Sequence, residues 1–343
     1  MKAARLVGKD DLRVEVVPEP SVGEGEVLVK VRAAMICGTD VRMLKNGSKV
    51  MPVTLGHELA GVIADLGPTV RGYQRGQPVA IAPNYGCGVC DSCVSGQGQH
   101  CPDLRAIGIH VDGAFAEYVR VPAPAVAQGN VCPIPDGLSF AEAALVEPLS
   151  CVYNSFERAH MVPGDSVLIV GAGPIGLLHA KLYRLAGAGQ VLIHDLNEQR
   201  LADCARHDSS FVTVGADKPK ERVLELTRGR GANVIVTAAS SAAAQQLAFE
   251  LAALDGRVIF FGGLPPGKEV VPLDTNAIHY RQITVTGTTR QSLAQYRRTL
   301  TLVGAGLVSL VGIISRTWPV EKTREAFEEV MKGRGLKQVV TFP

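Results

Sequence analysis

The sequence predicts an α/β protein: a doubly wound parallel sheet, covered by helices on both faces, flanked by strand-and-loop segments. From about position 163, apolar runs of three or four residues alternate with helix-like segments. This alternation is typical of buried parallel strands joined by helices. Residues 1–147 instead carry short alternating runs separated by glycine and proline, which indicates strands and turns. A length of 343 residues suits about two domains.

The predicted elements follow in chain order. Early strands are expected at 27–31 and 119–121, then at 167–170, 191–193, 234–236 and 258–261, with a helix at 175–186. The alternation stops near Gly287; after it, helices are expected at 293–303 and 320–332, and strands at 311–314 and 338–342. Because two short helices and two short strands cannot bury a core of their own, we expect this tail to pack on the N-terminal half.

Charge and cysteine content exclude several classes of protein. Lysine plus arginine number 35 and aspartate plus glutamate 33, so no electrostatic force favours a nucleic acid or an anionic membrane as partner. The stretch 234–249, the most nearly uncharged, is too short and too polar to span a membrane. Eight cysteines in a chain whose first residues lack an apolar signal core predict a cytoplasmic protein rather than a disulfide framework.

A glycine motif after the first apolar strand predicts a dinucleotide site. The motif G-x-G-x-x-G opens a helix, and its relevant residues are Gly171, Gly173, Pro174, Ile175 and Gly176. Such glycines permit a tight turn, close approach of a pyrophosphate and close packing of helix on strand. Asp195 ends the next strand and can accept both ribose hydroxyls while repelling a 2′-phosphate, which favours NAD over NADP. We expect Arg200 to lie along the adenosine.

Four cysteines within one glycine-rich loop predict a closed metal site. Cys87, Cys90, Cys93 and Cys101 have the spacing C-x-x-C-x-x-C-x7-C. Four thiolates around one zinc ion form a structural site with no open coordination position. An iron–sulfur cluster is the rival, although the last spacing is seven residues rather than the three of bacterial ferredoxins. The third interpretation is four unrelated reduced thiols.

A second group of metal-binding residue types is dispersed along the chain. Cys37 lies in an apolar run, His57 and Glu58 are adjacent, and Glu147 is flanked by apolar residues. Cysteine and histidine in such settings are often plain core residues. A buried carboxylate, however, needs a cation, hydrogen bonds or a raised pKa. Cys37, His57 and one or both glutamates would form a zinc site of the catalytic type.

Together these motifs resemble the medium-chain, zinc-dependent alcohol dehydrogenase family, most closely its sorbitol (polyol) dehydrogenase branch. The resemblance covers essentially the whole chain, and the motifs stand in family order. It implies a GroES-like, mainly-β catalytic domain at 1–150 and 291–343, with a structural zinc lobe at about 84–103. It also implies an inserted NAD-binding Rossmann domain at 151–290, with the active site in the cleft between the two.

The resemblance assigns roles to the dispersed residues. Cys37, His57 and Glu147 would be the ligands of the catalytic zinc. Glu58 would stand beside the metal and coordinate it transiently during ligand exchange. Glu147, where simple alcohol dehydrogenases carry a cysteine, points to the polyol branch.

The proton relay implied by the resemblance departs from the family at one position. Thr39 would take the alcohol proton, and Asp40 would orient His57 through its second ring nitrogen. Many relatives carry a histidine five positions after the zinc cysteine, and this chain has Arg42 there. Because a guanidinium cannot act as a base at ordinary pH, the relay should end in water or in the cofactor ribose.

The implied activity is reversible oxidation of a secondary polyol hydroxyl to a ketone, with NAD and two zinc ions per subunit, one catalytic and one structural. Sorbitol, L-iditol, galactitol, phosphorylated polyols and inositols all stay open as substrates. Relatives imply a homo-oligomer, a dimer or tetramer, with no nucleic-acid or membrane partner. One alternative is an amino-alcohol dehydrogenase of the L-threonine 3-dehydrogenase type. Another, a non-catalytic NAD- and zinc-binding regulatory protein, requires a missing ligand, and none is missing.

Overall fold

A computed structural model describes all 343 residues. The chain divides into two compact units, one formed by 1–150 with 291–343 and the other by 151–290. Each unit has its own hydrophobic core. None of the helices combines the length and apolar character that crossing a membrane requires.

Eighteen strands build the sheets. They are β1 (Lys2–Gly8), β2 (Asp11–Val16), β3 (Val27–Met35), β4 (Val53–Thr54), β5 (Glu58–Leu66), β6 (Pro78–Ile81), β7 (Asn84–Tyr85), β8 (Arg105–Ala106), β9 (Tyr118–Val121), β10 (Val131–Pro133), β11 (Ser166–Val170), β12 (Gln190–His194), β13 (Phe211–Val214), β14 (Ala232–Thr237), β15 (Ala252–Phe260), β16 (Thr284–Gly287), β17 (Ile314–Pro319) and β18 (Lys337–Thr341).

Twelve α-helices connect them. They are α1 (Gly38–Asn46), α2 (Asp91–Val94), α3 (Ala123–Gln128), α4 (Phe140–Ala144), α5 (Val146–Ala159), α6 (Pro174–Leu185), α7 (Glu198–His207), α8 (Pro219–Leu226), α9 (Ala242–Leu251), α10 (Thr275–Tyr280), α11 (Leu293–Gly304) and α12 (Thr323–Met331).

The unit 151–290 contains one six-stranded sheet in the order β13-β12-β11-β14-β15-β16. Every neighbouring pair in it is parallel. The central strands are continuous valine, leucine and isoleucine runs that are almost fully buried, as expected where helices cover both faces. The predicted doubly wound parallel sheet is confirmed.

The larger unit is mainly β. Its seven-stranded sheet has the order β10-β6-β5-β3-β18-β17, with β9 also on β3, and a separate three-stranded sheet has the order β2-β1-β4. Strand β18 runs antiparallel to β3, with Val340 opposite Ala34. The tail therefore completes a sheet that the first part of the chain begins, which confirms that it packs on the N-terminal half.

Two tail elements differ from the sequence prediction. The strand expected at 311–314 begins only at Ile314, since Gly312 has φ +80° and belongs to a turn. The helix expected at 320–332 is divided into a 3₁₀ turn, Val320–Lys322, and α12. In both places apolar residues occur in the turn as well as in the element, so hydrophobicity alone misplaced the boundary.

Candidate active site and metal centres

Cys37, His57 and Glu58 bring a thiol, an imidazole and a carboxylate together. One ligand atom from each lies within 4.8 Å of those of the other two. Cys37 follows β3 and precedes α1, whereas Glu58 is the first residue of β5. Strands β3 and β5 pair with Met35 opposite Glu58. The register of this strand pair therefore brings residues 20 positions apart, Cys37 and His57, to one place.

Asp40 holds the two segments that carry these ligands. Its carboxylate is fully buried; Oδ2 accepts a hydrogen bond from the backbone N–H of Cys37 at 2.8 Å, and Oδ1 accepts one from Gly56 at 3.4 Å. Oδ1 also lies 3.4 Å from Nδ1 of His57. Gly56 has φ +98°, and a Cβ there would lie 3.0 Å from the backbone nitrogen of Phe115. Only glycine suits this turn into β5.

Lys337, which no sequence motif singles out, places a cation in this cluster. Its Nζ donates to both carboxylate oxygens of Glu58 at 2.6 Å and lies 3.4 Å from the carbonyl oxygen of Ile36. Burial lowers the pKa of Lys337, but the charges of Glu58 and Cys37 outweigh burial and raise this pKa above its ordinary value. The only sequence signal was a lysine immediately before the strand predicted at 338–342.

Glu147 lies outside the three-residue group but within reach of its charges. It stands in the first turn of α5, 5% exposed, and its Oε1 accepts a hydrogen bond from Nε2 of Gln291 at 3.1 Å. Burial raises the pKa of Glu147 to about 7; the charges of His57 and Lys337 act in the opposite direction, and that of Glu58 adds to the rise. The structure thus groups Glu58, rather than Glu147, most closely with Cys37 and His57.

The donor set fits zinc. Zinc in catalytic sites is held by three protein ligands drawn from cysteine, histidine and carboxylate, and Cys37, His57 and Glu58 offer one of each. The buried Nδ1 of His57 has no hydrogen-bond partner of good geometry. Burial lowers the pKa of His57, but the charges of Asp40 and Cys37 outweigh burial and raise this pKa well above its ordinary value. Because a metal binds the neutral imidazole, metal binding and protonation of His57 compete.

Thr39 and Arg42 lie on the first turn and a half of α1, just after Cys37. Nη2 of Arg42 donates a hydrogen bond to Oγ1 of Thr39 at 2.8 Å. Because the guanidinium is only a donor, the hydroxyl proton of Thr39 points away from Arg42. The residue that replaces the relay histidine of many relatives therefore contacts the hydroxyl expected to take the alcohol proton.

The four cysteines of the loop converge as the spacing predicts. Their sulfur atoms all lie within 4.8 Å of one another, and those of Cys90 and Cys101 are 3.7 Å apart. A tetrahedron with zinc–sulfur bonds of 2.3 Å has edges of about 3.8 Å. All four are free thiols. Backbone N–H groups of Val89 and Cys90 lower the pKa of Cys87 to about 7, which favours the thiolate that a metal needs.

Gly86 makes room for this convergence. A Cβ at this position would lie 2.5 Å from the sulfur of Cys93 and 2.8 Å from Cβ of Cys101. The side-chain amide of Gln128 also forms two hydrogen bonds with the backbone of Gly86. It accepts from the N–H at 3.3 Å and donates to the carbonyl oxygen at 2.8 Å. The base of the four-cysteine loop is therefore fixed by contacts outside the loop.

The glycine turn lies between β11 and α6 and leaves space for a ligand. Gly171 has φ +119°, and a Cβ on Gly176 would overlap the carbonyl oxygen of Gly171. A Cβ on Gly173 would meet nothing within 4 Å. Pro174 and Ile175 begin α6, whose free N–H groups face the N-terminal end of the helix. A pyrophosphate fits this open end.

Asp195 connects the glycine turn to the end of β12. Its Oδ2 accepts from the backbone N–H of Ala172 at 2.7 Å, and its Oδ1 accepts from Asn197 at 2.9 Å. Nη1 of Arg200 lies 3.9 Å from Oδ2. Arg200, expected along the adenosine, therefore places a cation beside the carboxylate that we expect to bind the ribose.

Two family models match the chain. The alcohol dehydrogenase GroES-like domain matches residues 23–136, and the zinc-binding dehydrogenase domain matches residues 174–305. The first falls in the mainly-β unit and the second largely in the parallel-sheet unit. The expected fold class, a Rossmann sheet with a GroES-like domain, is confirmed.

Relatives of known activity align over almost the whole chain. Sorbitol dehydrogenase of Bacillus subtilis (strain 168) is 31% identical, covering 100% of this chain and 97% of its own length. An L-threonine 3-dehydrogenase of Bacillus velezensis is 33% identical, covering 94% of this chain and 93% of its own length.

A solved structure is similar throughout. It is a protein of Sinorhizobium meliloti 1021 bound to NADP, described as a zinc-binding dehydrogenase, with 32% identity, a TM-score of 0.90 and 99% coverage of both chains. The protein described above is accordingly an oxidoreductase that acts on CH–OH groups, and it belongs to the polyol branch of the medium-chain, zinc-dependent alcohol dehydrogenase family.

Proposed function

We propose that this enzyme reversibly oxidises a secondary hydroxyl of a polyol, of the sorbitol, L-iditol or galactitol type, to a ketone, with NAD as hydride acceptor. The observation that carries the proposal is a cluster of one thiol, one imidazole and carboxylates: Cys37, His57 and Glu58 with Glu147 nearby. A second cysteine, typical of simple alcohol dehydrogenases, is absent from it. The sorbitol dehydrogenase relative supports the same substrate class.

The reaction needs an acid that stabilises the alkoxide and an acceptor for hydride. When bound, zinc supplies the first, since a shift in bound-water pKa from 15.7 to about 7 corresponds to roughly 12 kcal/mol, and the nicotinamide supplies the second. Cys37, His57 and a carboxylate, Glu58 or Glu147, would hold the metal. Thr39 would accept the alcohol proton while its own hydroxyl proton passes to water or to the cofactor ribose. Asp40, whose Oδ1 lies 3.4 Å from Nδ1 of His57, would orient the ring.

NAD is the proposed cofactor. Asp195 repels a 2′-phosphate, and its Oδ2 accepts a hydrogen bond from Ala172 in the turn that would hold the pyrophosphate. NADP is the alternative cofactor, because Nη1 of Arg200 lies 3.9 Å from Oδ2 of Asp195 and the similar protein from Sinorhizobium meliloti is bound to NADP. Comparing kcat/KM for the two cofactors tests the proposal. We expect NAD to be preferred at least tenfold, and a preference for NADP would contradict the proposal.

An amino alcohol is the second candidate substrate, favoured by the 33% identity to an L-threonine 3-dehydrogenase. A substrate panel separates the candidates: sorbitol, L-iditol, galactitol, their phosphates and myo-inositol against L-threonine, with NAD reduction followed at saturating cofactor. A higher kcat/KM for L-threonine than for any polyol would replace our proposal. No reduction with any substrate in the presence of zinc would favour the non-catalytic regulatory protein.

Substitution of the metal ligands tests the site. Cys37→Ala and His57→Ala should each abolish turnover, reduce zinc from two ions per chain to one, and leave NADH binding unchanged. Cys132→Ala is the control, because this buried thiol lies outside both clusters and should leave two zinc ions. An active Cys37→Ala enzyme would contradict the proposed function.

A separate measurement tests the metal at the four-cysteine loop. A visible absorbance band in the purified protein would indicate an iron–sulfur cluster there instead of zinc.

We further propose a cytoplasmic homo-oligomer of two or four subunits. The eight cysteines are all free thiols, which suits a reducing compartment. Light scattering of the purified protein tests the subunit number, and a monomer would contradict it.

A further inference from the structure

A chain of two side-chain amides, from the half-buried Asn84 and the buried Gln291, ends on Glu147. Nε2 of Gln291 donates to Oε1 of Glu147 at 3.1 Å, and Nδ2 of Asn84 donates to Oε1 of Gln291 at 3.3 Å. Gln291 is 3% exposed and Glu147 5% exposed. The three side chains come from β7, from α5 and from the segment before α11, so none of the contacts follows from sequence proximity.

The direction of these hydrogen bonds follows from the chemistry of the groups. A carboxylate that holds a metal is ionised and only accepts, so the NH₂ group of Gln291 must then face Glu147. The oxygen of Gln291 then faces Asn84, which must present its own NH₂ group. Reversing the Gln291 amide would bring its oxygen against Glu147 and two NH₂ groups together. These two hydrogen bonds are therefore compatible with one arrangement of each amide.

Asn84 is held firmly at the far end of this chain. The backbone carbonyl oxygen of Asn84 accepts a hydrogen bond from Nδ2 of Asn130 at 2.6 Å. The same Nδ2 donates to the backbone carbonyl of Ala82 at 2.8 Å. Strand β7 pairs with β8 and leads directly into Gly86, which Gln128 fixes on both sides. The anchor of the amide chain is thus the base of the four-cysteine loop.

We propose that Gln291 is a positioning residue that sets the orientation of the Glu147 carboxylate at the zinc centre, with Asn84 transmitting the constraint from the base of the four-cysteine loop. The inference rests on the proposed function, because it requires zinc at Cys37 and His57. Gln291 touches neither substrate nor metal in this role. It acts by limiting how Glu147 turns toward the centre.

Substitutions along the chain test the proposal. Gln291→Ala should increase the rate of zinc loss from the catalytic centre to a chelator about tenfold or more and lower kcat/KM by about 10 to 100-fold, the usual range for residues that orient metal ligands. Asn84→Ala should change both in the same direction by less. The double variant should be no worse than Gln291→Ala, since the two act in series. Gln291→His, with one donor and one acceptor, should restore part of the loss.

Cobalt supplies a readout other than activity. With Co²⁺ in the catalytic centre, Gln291→Ala should shift the visible absorption bands, whereas Gln246→Ala, which removes a glutamine that bonds Pro272 in the other unit, should not. Circular dichroism identifies variants that fail to fold. If Gln291→Ala does not fold, Asn84→Ala tests the proposal instead. Wild-type spectra and zinc-loss rates in both Gln291→Ala and Asn84→Ala would overturn the proposal. Wild-type protein that binds no metal at Cys37 would instead refute the proposed function.

Discussion

Nζ of Lys337 lies 2.6 Å from each carboxylate oxygen of Glu58, with the two side chains 5% and 0% exposed. Neither charge can be hydrated by bulk water, so each depends on the other. The positive charge of Lys337 also balances the negative charge of the Glu58 carboxylate beside His57. Removing one partner leaves a buried charge uncompensated, which is far more costly than losing an exposed pair.

We therefore expect Lys337→Met to lower the free energy of unfolding by about 3 to 5 kcal/mol. Urea unfolding of the zinc-free protein measures the effect without interference from metal binding. Lys2→Met is the matched control, because Lys2 forms an exposed ion pair with Glu321 and its loss should be barely detectable. Equal effects of the two substitutions would show that the buried pair does not stabilise the fold.

Substitutions of two glycines of the dinucleotide turn should have different effects, one on cofactor binding and the other on stability. Gly173→Ala should fold as well as wild type, because its φ is −73° and the space around it is open, yet it should weaken NADH binding at least tenfold by filling the pyrophosphate position. Gly176→Ala should be unstable, because its Cβ overlaps the carbonyl of Gly171. Thermal unfolding and NADH fluorescence titration separate the effects. Unimpaired cofactor binding by Gly173→Ala would place the pyrophosphate elsewhere.

His179 makes the stability of the parallel-sheet unit depend on pH. Burial lowers its pKa to about 4, against 6.5 when unfolded. Because the unfolded chain binds the proton first, this contribution to stability is complete above pH 6.5 and is lost as pH falls toward 4. Between pH 8 and pH 5, the free energy of unfolding of wild type should fall by about 2 kcal/mol more than that of His179→Leu. Denaturant unfolding at both pH values tests this.

An exposed histidine of the same unit provides the control for this measurement. His160 has φ +44°, a conformation that asparagine tolerates, so His160→Asn should retain the pH dependence of wild type. An identical pH dependence for His179→Leu and wild type would show that His179 titrates normally in the folded protein.

The hydroxyl of Thr39, which Arg42 contacts, is the group that we expect to relay the proton of the alcohol. Thr39→Val should reduce kcat by about 10² to 10⁴-fold with zinc content unchanged, and Thr39→Ser should retain most activity. Arg42→His restores the residue found in many relatives and should add an inflection to the pH profile of kcat between pH 6 and 7. Full activity of Thr39→Val would exclude this hydroxyl from the relay.

The parts of the structure that the sequence predicted depend on local patterns. Strands β11, β12 and β14 are continuous apolar runs, and one loop supplies Cys87 to Cys101, so neither required knowledge of the tertiary fold. Lys337 and Gln291 could not be predicted, because their partners Glu58 and Glu147 lie 279 and 144 positions away along the chain. The preference for Glu58 over Glu147 beside Cys37 likewise depends on the register of β3 with β5, which no local pattern contains.

Strand β18 has a consequence for the order of events during synthesis. The ribosome makes β3 early, but the edge at Ala33–Met35 receives its partner only when the last strand emerges, after the whole parallel-sheet unit has been translated. Until then, the nascent chain presents an unpaired strand edge and a Glu58 without its lysine. Such edges template aggregation. Newly made chains should therefore need protection by chaperones for longer than the middle unit alone.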